Sequence, residues 1–139
     1  GEMAGKVLPE AFTCFTLSLD NLSELTKRFG YTVGDGVLKD FAGLVQLMGD
    51  TEGMRGYNGV GRFVVFFEEC SSKKAAAMIR ILDNQVEEYN SLNPEYPIRY
   101  TATWATTEET DTYEIRELLR LSQKKWKQME KAKEQSSCN

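Results

Sequence analysis

Histidine is absent from this chain of 139 residues, and cysteine and proline occur only three times each. Without an imidazole, the sequence excludes histidine-based acid–base catalysis, Ser–His and Cys–His nucleophile pairs, and the commonest zinc ligand. Cys14, Cys70 and Cys138 lie far apart and form no CxxC pair. An odd number of separated cysteines is typical of a reducing compartment, so we predict a cytoplasmic protein.

Long hydrophobic runs are also missing, since no apolar stretch approaches the ~20 residues that a membrane-spanning helix needs. The formal net charge of −4 argues against a nucleic-acid groove, because such grooves cluster lysine and arginine. Basic residues do gather between Arg116 and Lys133, but glutamates interleave them. This pattern favours a solvated helix face and leaves a surface for an anionic partner as the alternative. We expect contact with neither a membrane nor a nucleic acid.

The chain does contain enough apolar residues for a core, at 41% hydrophobic and 27% charged. Alternation predicts a strand over 11–20, and apolar stripes at helical spacing predict helices over 22–29 and 33–48. A hairpin, a third helix from Ser71, a strand over 98–106 and a last helix from Thr110 or Asp111 follow, and 133–139 reads as a frayed tail. We predict a single domain over 1–139 with its core in about 11–132. The order β-α-α-β-β-α-β-α indicates an α+β fold, one mixed central sheet flanked by helices.

The sequence YNGVGRFVVFF, residues 57–67, predicts a hairpin whose tip is made of glycines and one arginine. Gly59 and Gly61 can adopt the positive φ that tight turns require, and a phosphate-binding nest is the alternative role. Arg62 is either a solvated turn residue or a cation that binds phosphates. On the last helix, Trp126 and Met129 recur at core spacing, with an exposed partner-binding stripe as the alternative.

Two segments together resemble the GGDEF family of bacterial diguanylate cyclase domains, over about residues 11–132. The stretch LSLDNLSELTKRFGYTVGDGVLKDFAGLV keeps the glycine spacing and the aspartate of the family in 30–35, with Tyr31 where the family has histidine. Residues 59–63, Gly-Val-Gly-Arg-Phe, fall where the signature loop belongs. The resemblance implies a nucleotidyl-cyclase-like fold.

Enzymes of this family join two GTP molecules into cyclic di-GMP on a divalent cation held by oxygen ligands. Carried over by position, the cation ligands fall on Ser18 at a strand end and on Gly61 in the loop, beside Arg62. A hydroxyl is a weak ligand, glycine offers no side chain, and a guanidinium repels a cation. The resemblance therefore leads us to expect a degenerate domain that holds no metal or other cofactor and is not an enzyme.

The positions that read guanine in the family fall on Thr26, in place of an asparagine, and on Asp35. Asp35 could still accept hydrogen bonds from guanine, but its place at the start of a helix favours helix capping, which explains it without any ligand. With Arg62 and Gly59, these residues make up a vestigial nucleotide site. The basic residues of the family's last helix fall near Glu130 and Glu134.

Two functions follow from this reading. The first is a regulatory or protein-interaction module in bacterial signalling, whose partner is another domain of the same chain or a separate protein. A homodimer is a further alternative. The second is a sensor that binds GTP without turnover and biases a neighbouring domain.

Overall fold

The computed structural model describes residues 11–48, 55–57, 61–110 and 114–137. The elements are β1 (Thr13–Leu19), α1 (Leu22–Phe29), α2 (Tyr31–Gln46), β2 (Arg55–Tyr57), β3 (Arg62–Phe67), α3 (Ser72–Leu92), β4 (Tyr100–Thr106) and α4 (Ile115–Ser137). The predicted α+β class and element order are confirmed. Asn58 and Gly59, at the tip of the predicted hairpin, lie outside the described residues.

The four described strands form one sheet in the order β2-β3-β1-β4, and each described pair of neighbours is antiparallel. The prediction of a mixed sheet is wrong in this detail, because each helical crossover joins strands that are not neighbours. The α1–α2 pair connects β1 to β2, which run in the same direction with β3 between them. In the same way, α3 connects β3 to β4 with β1 between them.

β1 is a central strand with helices on both faces, and all seven of its residues are buried. Its side chains alternate between the faces, as predicted. Phe15, Leu17 and Leu19 belong to a large apolar cluster with α2 and α3, whereas Cys14 belongs to a smaller cluster with Leu118 of α4. The sheet is therefore the middle layer of three.

The face of the sheet that meets α4 is rich in hydroxyl groups. Thr16 Oγ1 and Ser122 Oγ lie 2.7 Å apart, and Thr103 Oγ1 donates a 2.9 Å hydrogen bond to the Ser122 carbonyl. Hydrogen bonds therefore attach α4 to the sheet, and we call the contact surface between them the α4 seam. It consists of Thr16, Ser18, Thr101, Thr103, Ser122, Trp126 and Glu130.

The predicted core role on α4 holds for one of the two residues at core spacing. Trp126 is 8% exposed and lies in the α4 seam, whereas Met129 is 44% exposed. The predicted frayed tail is also corrected, since α4 continues to Ser137.

Stability should fall as the pH rises from about 9 to about 12. Burial raises the pKa of the Cys14 thiol from 9.0 to about 12, and burial also raises the pKa of Tyr89 from 10.0 to about 12. The folded chain therefore keeps protons that the unfolded chain releases, so this contribution is complete below pH 9 and is lost above it. Urea unfolding at a series of alkaline pH values measures the slope. Cys14→Ala should give a shallower slope; an unchanged slope would rule out the thiol as a cause.

Candidate functional site

The candidate site lies where β1 ends, between its two neighbours in the sheet. In the strand register, Ser18 pairs with Arg62 of β3 on one side and with Thr101 of β4 on the other. Asp20 follows directly after the strand. The fold thus brings together three of the predicted site residues, Ser18, Gly61 and Arg62, since Leu19 N–H donates a 2.7 Å hydrogen bond to the Gly61 carbonyl.

Ser18 is 4% exposed and engages a residue of α4 that lies more than 100 positions further along the chain. Its hydroxyl donates a 2.6 Å hydrogen bond to Asp20 Oδ1 and accepts a 2.8 Å hydrogen bond from Trp126 Nε1. The hydroxyl at the position where the resemblance places a cation ligand therefore accepts a hydrogen bond from an indole N–H.

Arg62 covers the outer side of the same indole. Its guanidinium carbon lies 4.1 Å from the centre of the Trp126 ring, within the range of a cation–π contact. Arg62 is half-buried. The interpretation of Arg62 as a solvated turn residue is therefore wrong, because the side chain packs on α4.

Two carboxylates meet around the Thr101 hydroxyl. Thr101 Oγ1 lies within hydrogen-bond distance of Asp20 Oδ2 and 2.7 Å from Glu130 Oε2, and one hydroxyl proton can serve only one of them at a time. Lys133 supplies the compensating positive charge. Its ammonium donates to Thr101 Oγ1 and to the Tyr100 carbonyl, at 3.1 Å for the latter, and lies 3.4 Å from Asp20 Oδ2.

Sequence reasoning missed this charged cluster. The family's basic positions were assigned near Glu130 and Glu134, and Lys133 was assigned to a frayed tail. The available signal was the spacing of Trp126, Glu130 and Lys133, which are four and three residues apart and therefore share one helix face.

Thr26 and Asp35, the predicted guanine-reading residues, lie on α1 and α2 near the point where the two helices approach each other. A Cβ built on Gly34 would lie 2.4 Å from Thr26 Oγ1, so the Thr26 hydroxyl rests against the residue that precedes Asp35. α2 begins at Tyr31 after Gly30, with no side-chain cap, and Asp35 is its fifth residue. The capping interpretation of Asp35 is therefore wrong, and its side chain is exposed.

Leu22 connects this junction to the hairpin. Its two methyl carbons would each lie 3.4 Å from a Cβ built on Gly34 and on Gly61, respectively. Gly61 has φ +69°, the positive φ predicted for it. The junction that carries Thr26 and Asp35 and the turn that precedes Arg62 are thus neighbours.

Gly34→Ala should lower the free energy of unfolding by about 1–2 kcal/mol, because the added methyl would clash with the Thr26 hydroxyl. In a Thr26→Ala background the sign should reverse, since alanine is the better helix former. Gly36→Ala in the same helix meets no atom within 4 Å and should stabilise by about 0.5–1 kcal/mol. Urea unfolding of the set tests this; equal effects at positions 34 and 36 would contradict the close approach.

Over the part of the chain that the structure describes, there is no group of three or more histidine, cysteine, aspartate or glutamate residues that could hold a metal ion. Within the same part, no helix has the length and apolar character needed to cross a membrane.

The family described as "Diguanylate cyclase, GGDEF domain" matches residues 4–137. The chain therefore belongs to the GGDEF family, whose domains occur in signalling proteins. The resemblance stated from the sequence is thereby confirmed. No curated protein sequence matches the chain.

Solved structures of GGDEF domains share the fold. The active GGEEF domain of a diguanylate cyclase from Vibrio cholerae is 20% identical, with a TM-score of 0.69 over 83% of this chain and 73% of that one. An EAL/GGDEF domain protein from M. capsulatus is 16% identical, with a TM-score of 0.62 over 83% and 75%. The GGDEF domain of DgcB from Caulobacter crescentus, in complex with c-di-GMP, is 15% identical, with a TM-score of 0.58 over 69% and 59%.

The prediction that the chain is not an enzyme is wrong. It rested on three positions, Ser18, Gly61 and Arg62, whereas the match over residues 4–137 places the chain in a family named for an enzyme activity. One structural neighbour is itself described as an active domain. Family membership is decided by the whole pattern and not by the three positions.

Proposed function

We propose that this GGDEF domain is a regulatory, protein-interaction module of a cytoplasmic bacterial signalling protein. It acts on other domains of its own chain or on a protein partner. The observation that carries the proposal is the hydrogen bond from Trp126 to Ser18, with Arg62 stacked on the same indole. Through it, the end of the central strand is bonded directly to α4.

This contact supports a regulatory role because α4 has a second, outward side with exposed residues. Exposed basic residues occupy that side, among them Arg116, Lys124 and Lys131. A partner that binds α4 more tightly in one position than in another shifts the end of β1 with it, by its difference in affinity for the two positions.

The test replaces the domain by a flexible linker within the full-length signalling protein and measures the output of the remaining domains. The proposal expects the output to change several-fold. Cyclic di-GMP is measured in the same samples. An unchanged output would overturn the proposal, as would a change that added cyclic di-GMP reverses, because the effect would then depend on a product and not on contact.

A second candidate function is the binding of a guanine nucleotide, which is favoured by the close approach of the Thr26 hydroxyl to Gly34, the residue before Asp35. Both residues occupy positions at which the family reads guanine. Calorimetry with GTP, with and without Mg²⁺, measures the affinity. Asp35→Asn should weaken binding at least about tenfold, roughly the effect of losing one charged hydrogen bond, while Glu87→Gln on α3 should not. No heat at millimolar GTP would end this candidate.

A further inference from the structure

β4 lies at one edge of the described sheet, so half of its backbone groups point away from β1. Two hydrogen bonds show which residues of this segment face β1. Asp20 N–H donates to the Arg99 carbonyl, and Thr107 N–H donates to the Phe12 carbonyl. Odd-numbered residues of this segment therefore face β1, and the even-numbered residues face outward.

Side chains already cover both ends of this outer edge. Lys133 donates to the Tyr100 carbonyl at 3.1 Å, and Lys125 donates to the Trp104 carbonyl at 2.9 Å. Glu109 closes the far end, since its carboxylate accepts from Thr106 N–H at 2.9 Å and its own N–H donates to the Thr106 carbonyl at 3.0 Å. Such covers are a common protection of edge strands.

Ala102 is the outward-facing residue between the covered carbonyls. Among the described residues, its N–H donates no hydrogen bond and its C=O accepts none. A groove of about 430 Å³ opens beside it, between β4 and α4. The groove is lined by Ala102, Thr103, Trp104, Lys125, Gln128, Met129 and Ala132.

The groove has an apolar floor and a basic rim. The Met129 side chain is 44% exposed and lines the groove from α4 together with Ala132. The side chains of Ala102 and Trp104 lie on the opposite face of β4, with Leu17 and Phe15. Lys124 and Lys131 lie four residues before and three residues after Gln128, on the same face of α4, and both are exposed. This rim is positive although the chain as a whole carries a net charge of −4.

We propose that this groove, the β4–α4 groove, binds an extended acidic peptide segment of a partner. The segment pairs with the N–H and C=O of Ala102, as peptides do when they add a strand to a sheet edge. It places one apolar side chain on Met129 and Ala132, and its carboxylates face Lys124 and Lys131. The inference rests on the proposed function and names the surface through which that function is exercised.

Fluorescence anisotropy tests the groove with a labelled peptide that has one valine, with glutamate two residues before it and two residues after it, so that all three side chains take the α4 face of an added strand. Met129→Glu should weaken binding at least tenfold, because it removes the apolar contact and repels the peptide. Ile115→Glu is the matched control on α4, since Ile115 is 54% exposed but does not line the groove, and it should leave the affinity unchanged. A peptide with lysine in place of glutamate should not bind, and binding should weaken with added salt.

Ala102→Pro separates backbone pairing from simple apolar adhesion. Proline removes only an N–H that points away from β1, so the sheet keeps its hydrogen bonds and the peptide loses one. Weakened binding with an unchanged far-UV spectrum supports the proposal. Equal affinity of the native, Met129→Glu and Ile115→Glu proteins overturns it.

The other outcomes are also decisive. If sedimentation shows a dimer that Met129→Glu dissociates, the occupant is a second copy of this chain and the peptide proposal is overturned. If the domain alters the output of the full-length protein but Met129→Glu has no effect there, the groove inference fails while the proposed function stands. If the peptide binds but removal of the domain changes no output, the proposed function fails and the groove stands.

Discussion

Trp126→Ala is expected to lower the free energy of unfolding by about 3–5 kcal/mol, the usual range for removing a buried tryptophan. Its indole is 8% exposed and makes three kinds of contact at once. It fills the space between α4 and the sheet, donates a hydrogen bond to Ser18, and supports the guanidinium of Arg62. The truncation therefore leaves a cavity and removes the only indole link between the described end of β1 and α4.

Two companion variants divide this loss into its parts. Trp126→Phe keeps most of the apolar volume and loses the N–H donor, so it should cost about 1–2 kcal/mol. Met129→Ala removes a half-exposed side chain from the same helix and should cost less than about 1 kcal/mol. Urea unfolding of the three proteins measures the differences. Equal losses for Trp126→Ala and Met129→Ala would mean that α4 is not fastened at the site.

Thr101→Val is expected to cost about 2–3 kcal/mol although it hardly changes the volume of the side chain. The substitution removes the hydroxyl that lies between the carboxylates of Asp20 and Glu130, and it leaves Lys133 to neutralise both. Two negative charges then face each other without the donor that they share.

Thr103→Val is the matched control, because Thr103 lies two residues along the same face of β4 and donates only to the Ser122 carbonyl. It should cost about 1 kcal/mol or less. Adding Glu130→Gln to Thr101→Val should recover part of the loss, since it removes one charge and supplies an amide donor. Thermal or urea unfolding distinguishes these cases; equal costs for the two threonine variants would refute the shared-hydroxyl arrangement.

The elements that follow simple periodicity were predictable from the sequence. Strict alternation placed Phe15, Leu17 and Leu19 on one face of β1, and the positive φ of Gly61 followed from its place in a hairpin. The neighbours in the sheet were less accessible, because periodicity describes which face a residue takes and not which strand lies next to it. No local sequence pattern indicates that an antiparallel strand lies between the two strands that each crossover joins.

The charged cluster of the site could not be read from the chain, because its members come from three separate elements. Asp20, Thr101 and Lys133 meet only after β4 has paired with β1 and α4 has packed on the sheet. Lys133 was assigned to a tail, since charged residues near an end usually fray. Here its hydrogen bond to the Tyr100 carbonyl and its contact with Asp20 favour continuation of the helix. Arg62 was misread for a related reason, because the indole that it covers lies on α4.

The place of β1 in the middle of the sheet has a consequence for synthesis on the ribosome. Of the four described strands, β1 emerges first and needs β4, which emerges last, as its neighbour, and the Phe12 N–H finds its acceptor, the Thr107 hydroxyl, 95 positions later. Closing such long loops comes late in folding. A nascent chain that has reached only α3 thus carries a central strand with one bare edge, and this edge has to be shielded until β4 leaves the exit tunnel.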